Sequence, residues 1–340
     1  MYFEEAWKNG DLEMIQWLHK KNIKGCNNDA MDYAACHGHL DVVKFLHENR
    51  TEGCTTWAMD WAAKNGYLDI VKFLHENRTE GCTFRAMDEA VNNNHLGVVK
   101  WLHENRSEGC TSMAMSIAAH NGYFDIVKFL YKFKNCTTGV MNSAASGHLD
   151  IVKWLHDNNE GCTTYAMDCA AFGGYLDIVK WLHENRSEGC TKLAMDIAAT
   201  NGHLDIVKWL HYNRTEGCTT AAMDQAAEYG HLDVVKWLHE NRTEGCTTNA
   251  MDWAAANGYL DVVKFLHENR TEGCTQYAMN KAAKNGYLDI VKFLYEHRSE
   301  GNIIRAMNKA AENEHFDVLN FLMENTVEYI QMYEHIWDAD

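Results

Sequence analysis

Residues Thr55 to Cys82 read TTWAMDWAAKNGYLDIVKFLHENRTEGC, and this passage returns with small changes along nearly the whole chain. Its closing Cys stands at 26, 54, 82, 110, 136, 162, 190, 218, 246 and 274, with Asn302 in the next slot, so eight spacings are 28 residues and two are 26. Eleven units share a Met column running from Met31 through Met59 to Met307, and a partial twelfth unit, Glu5 to His19, precedes them. A fixed period of this kind marks a solenoid, in which each unit buries its apolar face only by stacking on its neighbours.

Within a unit, Ala58, Met59, Ala62 and Ala63 fall at helical spacing and are small or flexible, which predicts a first helix packed closely on its neighbours. Thr55 or Thr56 caps its first amides, and Gly66, after Asn65, supplies a left-handed stop. A second helix from Leu68 to Glu76 turns Leu68, Val71 and Leu74 inward and sets Asp69, Lys72 and Glu76 outward with alternating sign. A short, polar, Gly-containing connection returns the chain to Thr83. The chain has no proline, so these Thr and Gly positions carry all the turn chemistry.

Helix, Gly turn, longer helix and return loop together resemble the ankyrin repeat. MDWAAKNGYLDIVKFL is similar to the ankyrin consensus LHxAAxxGHxxVVxxLL, with Met59 and Asp60 on its Leu-His, Ala62 and Ala63 on its Ala pair, and Gly66 on its turn glycine. The resemblance covers residues 5 to 323 and implies an all-α ankyrin-repeat solenoid of paired antiparallel helices with shortened return loops. Ankyrin repeats run to about 33 residues, and the residues missing here fall where such arrays carry a projecting β-hairpin finger, so the finger is expected to be stubby or absent. Two further departures are pairs such as Trp57-Ala58 in place of the opening Thr-Pro, and Asp, Asn or Ser116 in place of the consensus His. Near-identical arrays of this kind resemble those of protists, oomycetes and giant DNA viruses.

The expected organisation is an N-terminal capping partial repeat at 1–25, eleven repeats at 26–324, and a capping helix or tail at 325–340, where Val327, Ile330 and Trp337 stand at roughly helical spacing. The array is irregular at 131–161, where two return loops are shortened and a change of superhelical pitch is expected. Gln16, Glu314 and Asn320 replace repeating residues at the two ends, as repeats that face water require.

Composition limits the function classes. The chain is 46% hydrophobic and carries 31 Lys and Arg against 48 Asp and Glu, a net charge of −17 that argues against nucleic acid as a partner. No apolar run approaches the ~18 residues of a membrane span, and the acidic start differs from a secretory signal, so the expected location is the cytoplasm, or a host's cytoplasm for a viral source, with no membrane partner. Stacked helices lie roughly 8–10 Å apart, whereas a disulfide needs Cα atoms within about 7 Å. The Cys column therefore reads as small buried thiols in a reducing compartment, with no metal. A His column (His47, His75, His103, His156, His183, His211, His239, His267) accepts Tyr131, Tyr295 and Met323 as substitutes, which fits rings packed between second helices and hydrogen-bonded to the loop better than metal ligands. The chain carries neither a phosphate-binding Gly loop nor a nucleophile elbow or HExxH, and its carboxylates recur as scaffold, so the reading is non-enzymatic and without a cofactor.

Comparison of the units within the chain separates scaffold from variation. Three columns vary freely, those of Trp57, Trp61 and Lys64, and their i, i+4, i+7 spacing places them on one face of the first helix. In ankyrin arrays that helix lines the concave side. The residues expected to contact a partner are Trp57, Trp61, Arg85, Met113, Ile117, Tyr165, Phe172, Leu193, Ile197, Trp253, Tyr277, Lys281, Lys284, Arg305 and Lys309, apolar in the middle and basic at the C-terminal end. The reading is a monomeric protein–protein interaction scaffold that binds a segment of a partner protein on this face, with an acidic part of it at the basic end. The alternatives are a structural spacer or assembly element, or an adaptor that recruits through the tail.

Overall fold

The computed structural model describes residues 2–21, 27–133 and 139–337, with side chains described for 5–21, 27–133 and 139–326. These residues form 24 helices and no strand, arranged as helix pairs in two compact units, Met1–Thr163 and Thr164–Asp340. The all-α repeat solenoid is as expected, and the return loops carry no hairpin finger among the described residues. The partial unit at the N-terminus is a complete pair, Tyr2–Asn9 and Leu12–Lys20.

In the repeat Thr55–Cys82 the helices are Thr56–Lys64 and Leu68–Asn77. Thr55 is the N-cap: its Oγ accepts the Trp57 N–H at 3.1 Å, and Thr83, Thr191, Thr219, Thr247 and Thr275 do the same. Gly66 ends the first helix at φ +81°, and the His95 ring of the following unit lies over it so closely that a Cβ would sit 2.6 Å from Nδ1. Glycine is required there twice, for the left-handed backbone and for the ring. Ile70, Val71 and Leu74 turn inward from the second helix; Leu68, expected among them, is only half-buried because it sits at the turn that starts the helix.

First helices pack on first helices more extensively than second helices pack on each other; Thr56–Lys64 lies between Asp29–Cys36 and Phe84–Asn92, and Thr220–Glu228 between Lys192–Thr200 and Thr248–Ala256. The Ala pairs make this possible, since Ala62, Ala63, Ala226 and Ala227 are fully buried and hold the backbones close. Each buried Met, Val, Ile or Leu adds roughly 1.5–3 kcal/mol, and the set recurs, as with Met195, Ile206, Val207 and Leu210 or Met251, Val262, Val263 and Leu266.

Polar links join each unit to the next. Asp60 accepts both the N–H (2.8 Å) and the O–H (2.7 Å) of Thr83, the cap of the following first helix. Asp32, Asp168, Asp196, Asp224 and Asp252 hold Thr55, Thr191, Thr219, Thr247 and Thr275 in the same way. Burial pushes the carboxyls of Asp60, Asp168, Asp196 and Asp224 above their ordinary value, and the Thr donors offset this only in part. Asn142 performs the same task without charge: its Nδ2 donates to Thr163 Oγ at 2.9 Å and its Oδ1 accepts the Thr163 N–H at 3.0 Å.

A second link lies in the return loop. Arg78 Nε and Nη2 donate to the two oxygens of Glu80, and Glu80 Oε1 also accepts the N–H of Cys54 in the preceding unit at 3.3 Å. Burial opposes ionisation of Glu80, but Arg78 and the backbone amides outweigh it and hold the carboxyl down at about 2. Beneath lies the Cys column. Burial first, and the neighbouring glutamate next, push the thiols of Cys54, Cys190, Cys218 and Cys246 up to about 12, so they are packed, un-ionised groups.

The His column packs between second helices as expected. His47, His75, His183 and His267 meet Phe73, Trp101, Trp209 and Phe293 of the following unit edge-on, with centroids 5.1–5.6 Å apart. The expected hydrogen bond to the loop forms at His75, His183 and His211, whose Nδ1 accepts from Arg106, Arg214 and Arg242, whereas Nδ1 of His47, His239 and His267 is buried without a partner. Tyr131 and Tyr295 suit the column because their hydroxyls donate to backbone carbonyls of the following repeat, those of Asn158 in the loop and Asn325 in the last helix.

Residues 134–138 of the irregular stretch lie outside the described residues. After them the first helix is described over Gly139–Ala144, and the next loop turns at Asn159 with φ +63°. At the C-terminus, residues 325–337 prolong the second helix of the last pair, Phe316–Trp337. Thr326 stands where most earlier repeats have the extended Arg that ends the helix, and here the backbone continues helical, the Thr326 hydroxyl donating to the Leu322 carbonyl.

Candidate protein-binding face

The three variable columns lie along the first helices at different depths. The outer columns are exposed at Trp57, Arg85, Met113, Tyr165, Phe172, Leu193, Tyr277, Lys284 and Arg305, while the middle column is half-buried at Trp61, Ile117, Ile197, Trp253, Lys281 and Lys309 because neighbouring first helices close over it.

In the unit Met1–Thr163, Trp57 is 54% exposed and tilts onto Trp61 at 4.9 Å, and Trp61 reaches Tyr33 at 6.1 Å. Lys64 pairs with Glu89 of the next repeat at 3.3 Å, and together with Asp60 and Arg85 these residues line a cavity of about 220 Å³. Met113 is 66% exposed and precedes the helix Ala114–His120, in which Ile117 lies one turn on.

In the unit Thr164–Asp340, Tyr165 and Phe172 project from opposite ends of the helix Tyr165–Gly173, 57% and 62% exposed, and Leu193 follows on the helix packed beside it. Ile197 and Trp253 are held between helices and offer edges only. Further along, Tyr277, Lys281, Lys284, Arg305 and Lys309 line a cavity of about 480 Å³ together with Gln276 and Asn280. Lys281 Nζ stands 5.0 Å from the Tyr277 ring centre, and Lys309 pairs with Glu312 at 2.6 Å on its own helix.

Asp60 and Glu89 in the first cavity, and Gln276 and Asn280 in the second, were outside the sequence-derived set. The available sign was a paired change: Asn280 replaces the column Asp where Ile303 replaces the Thr it would bind, and its buried Oδ1 has no partner. Among the described residues no group of three or more His, Cys, Asp or Glu side chains converges as a metal site would require, and no helix is long and apolar enough to cross a membrane.

Short paired helices stacked through their first members, with a Gly turn inside each pair and an extended return between pairs, define a helical-repeat solenoid that presents one variable face. The family description ankyrin repeats (3 copies) matches residues 3–88, 61–140, 87–163, 115–196, 140–218, 195–275 and 252–332, and the chain belongs to the ankyrin repeat family. A comparison with curated proteins finds no match to the chain. Ankyrin repeats are in general protein–protein interaction modules and typically non-enzymatic.

Proposed function

We propose that this chain is a monomeric, non-enzymatic scaffold that binds a segment of a partner protein on the variable face of its first helices. One observation carries the reading: the two outer variable columns of the first helices are exposed and hold large side chains in the open at Trp57, Met113, Tyr165, Phe172 and Leu193, beside a scaffold that scarcely changes. Exposed aromatic anchors set among small residues are the usual core of a protein-binding surface. A reducing, cytoplasmic setting is supported by the buried thiols of Cys54, Cys190, Cys218 and Cys246, which burial pushes up to about 12 and which pack as small groups beneath the return loops.

The test is affinity capture from a cytosolic lysate with the intact chain and with a variant carrying Tyr165→Ala, Phe172→Ala and Leu193→Ala. Leu193 is preferred to Ile197, which is half-buried and would confound binding with stability. Partners lost from the variant, with its helical content intact, support the reading. Capture that survives all three substitutions refutes it.

A further inference from the structure

The two cavities of about 220 and 480 Å³ occupy the same columns of their repeats. Each is built from an aromatic residue (Trp57 or Tyr277), a lysine seven residues on (Lys64 or Lys284) and an arginine that opens the following first helix (Arg85 or Arg305). They differ at three places. Trp61 becomes Lys281, Asp60 becomes Asn280, and Glu89 becomes Lys309. Each change makes the second cavity more positive, and its volume is about 480 Å³ against 220 Å³.

The first cavity balances its own charge, because Glu89 takes Lys64 and Asp60 offsets Arg85. The second does not. Lys281, Lys284, Arg305 and Lys309 share its walls, and among the described residues the carboxylate that pairs with one of them is Glu312, on Lys309. Among the described residues, neither Lys284 nor Arg305 has a carboxylate within salt-bridge reach. On a chain of net charge −17, four cations in adjoining repeats run against the general composition. They also repel one another, and neither of the two recurring links between repeats, Asp to Thr and loop Glu to backbone, runs through them.

We infer that this cavity is a carboxylate-binding site that holds a run of aspartate or glutamate side chains in the partner segment, a refinement that rests on the protein-binding reading above. Charge complementarity sets the occupant. Arg305 offers a bidentate fork to one carboxylate, and Lys284 and Lys281 offer point charges to its neighbours. Tyr277, 41% exposed on the same wall, takes an apolar side chain between the acids. An extended segment advances about 3.3 Å per residue and first helices stand roughly 8–10 Å apart, so the cations of two adjoining repeats engage acidic residues about three positions apart.

The experiment is fluorescence anisotropy of the full chain with a labelled short peptide carrying a run of glutamates between leucines, its glutamine counterpart, and a labelled single-stranded oligonucleotide of equal charge. The glutamate peptide is expected to bind at least tenfold more tightly than the glutamine peptide and to weaken steeply as salt rises from roughly 0.05 to 0.5 M. The variant Lys281→Gln, Lys284→Gln, Arg305→Gln, Lys309→Gln is expected to lose at least tenfold, and a control of equal charge change on the second helices, Lys72→Gln, Lys153→Gln, Lys180→Gln, Lys208→Gln, to change little. Equal binding of the two peptides, equal loss in both variants, tighter binding of the oligonucleotide, or low-salt self-association abolished by the quadruple substitution each overturns the inference. The salt and peptide comparisons on the unaltered chain keep the test decisive if the quadruple variant folds poorly. Failure here with capture through Tyr165, Phe172 and Leu193 intact removes the acidic ligand alone; loss of both removes the protein-binding reading.

Discussion

Substitution of Asp224 separates the geometry of the Asp–Thr link from its charge. Asp224 accepts the Thr247 N–H at 2.7 Å and the Thr247 O–H at 2.8 Å, and is itself buried. Asp224→Ala deletes both bonds and strips the Thr247 amide of its partner, a loss of about 2 kcal/mol. Asp224→Asn keeps a carbonyl oxygen for the amide and turns an Nδ2 toward the hydroxyl, as Asn142 does with Thr163. It also removes the charge whose burial holds the Asp224 carboxyl above its ordinary value. The Asn variant is therefore expected to lie within about 0.5 kcal/mol of the original or above it at neutral pH, because neutral hydrogen bonds are weaker but no ion needs desolvation. Hydrogen exchange in the helix Thr248–Ala256 is the assay, since a repeat array opens locally and a single global midpoint would blur the effect. A loss of 2 kcal/mol appears as exchange about 30-fold faster in the Ala variant, against little change in the Asn variant. The pH dependence follows in sign: a raised carboxyl binds its proton in the folded state first, so the original chain gains on the Asn variant as pH falls through the raised value. Exchange as fast in Asn as in Ala would refute the argument and show that the charge itself holds the junction.

The return-loop glutamates respond to acid in the opposite sense. Burial opposes ionisation of Glu216, but Arg214 and the loop amides bring its carboxyl from 4.5 down to about 2, so its stabilisation is full above 4.5 and disappears as pH falls toward 2. Glu216→Gln should flatten the acid limb of a stability–pH curve over that window; an unchanged limb would deny the pair that role. Two glycines should part company in urea titrations. Gly66→Ala meets φ +81° and the His95 ring and is expected to lose about 1–2 kcal/mol or more. Gly97→Ala, inside a helix with its nearest neighbour, Leu68 Cδ2, at 4.0 Å, should gain about 0.5–1 kcal/mol. Equal effects at both positions would contradict the reading of the turn.

By itself, the sequence determines the fold, because a repeat read eleven times averages away the ambiguity of any one copy. Met59, Ala62, Ala63, Val71 and Leu74 are legible as core, and Thr55 and Gly66 as cap and stop, since each of those roles depends on near neighbours in the chain. The variable face is legible for the same reason, as spacings of four and seven fall on one side of a helix. What tertiary structure decides are contacts across about one repeat. The carboxylate of Asp60 seeks Thr83, 23 residues on, and Glu80 reaches back 26 residues to Cys54, so the roles of both acids emerge only when units are stacked. Burial along the face depends on stacking too: Ile197 and Trp253 sink between helices while Tyr165 and Phe172 stay out, although all four lie in variable columns. Side-chain spacing within a helix sets direction, whereas depth and charge balance are set by whatever the adjacent repeat places alongside. For that reason Lys64 and Lys284 look alike in sequence and differ in space: Glu89 neutralises one, and Lys309 stands opposite the other.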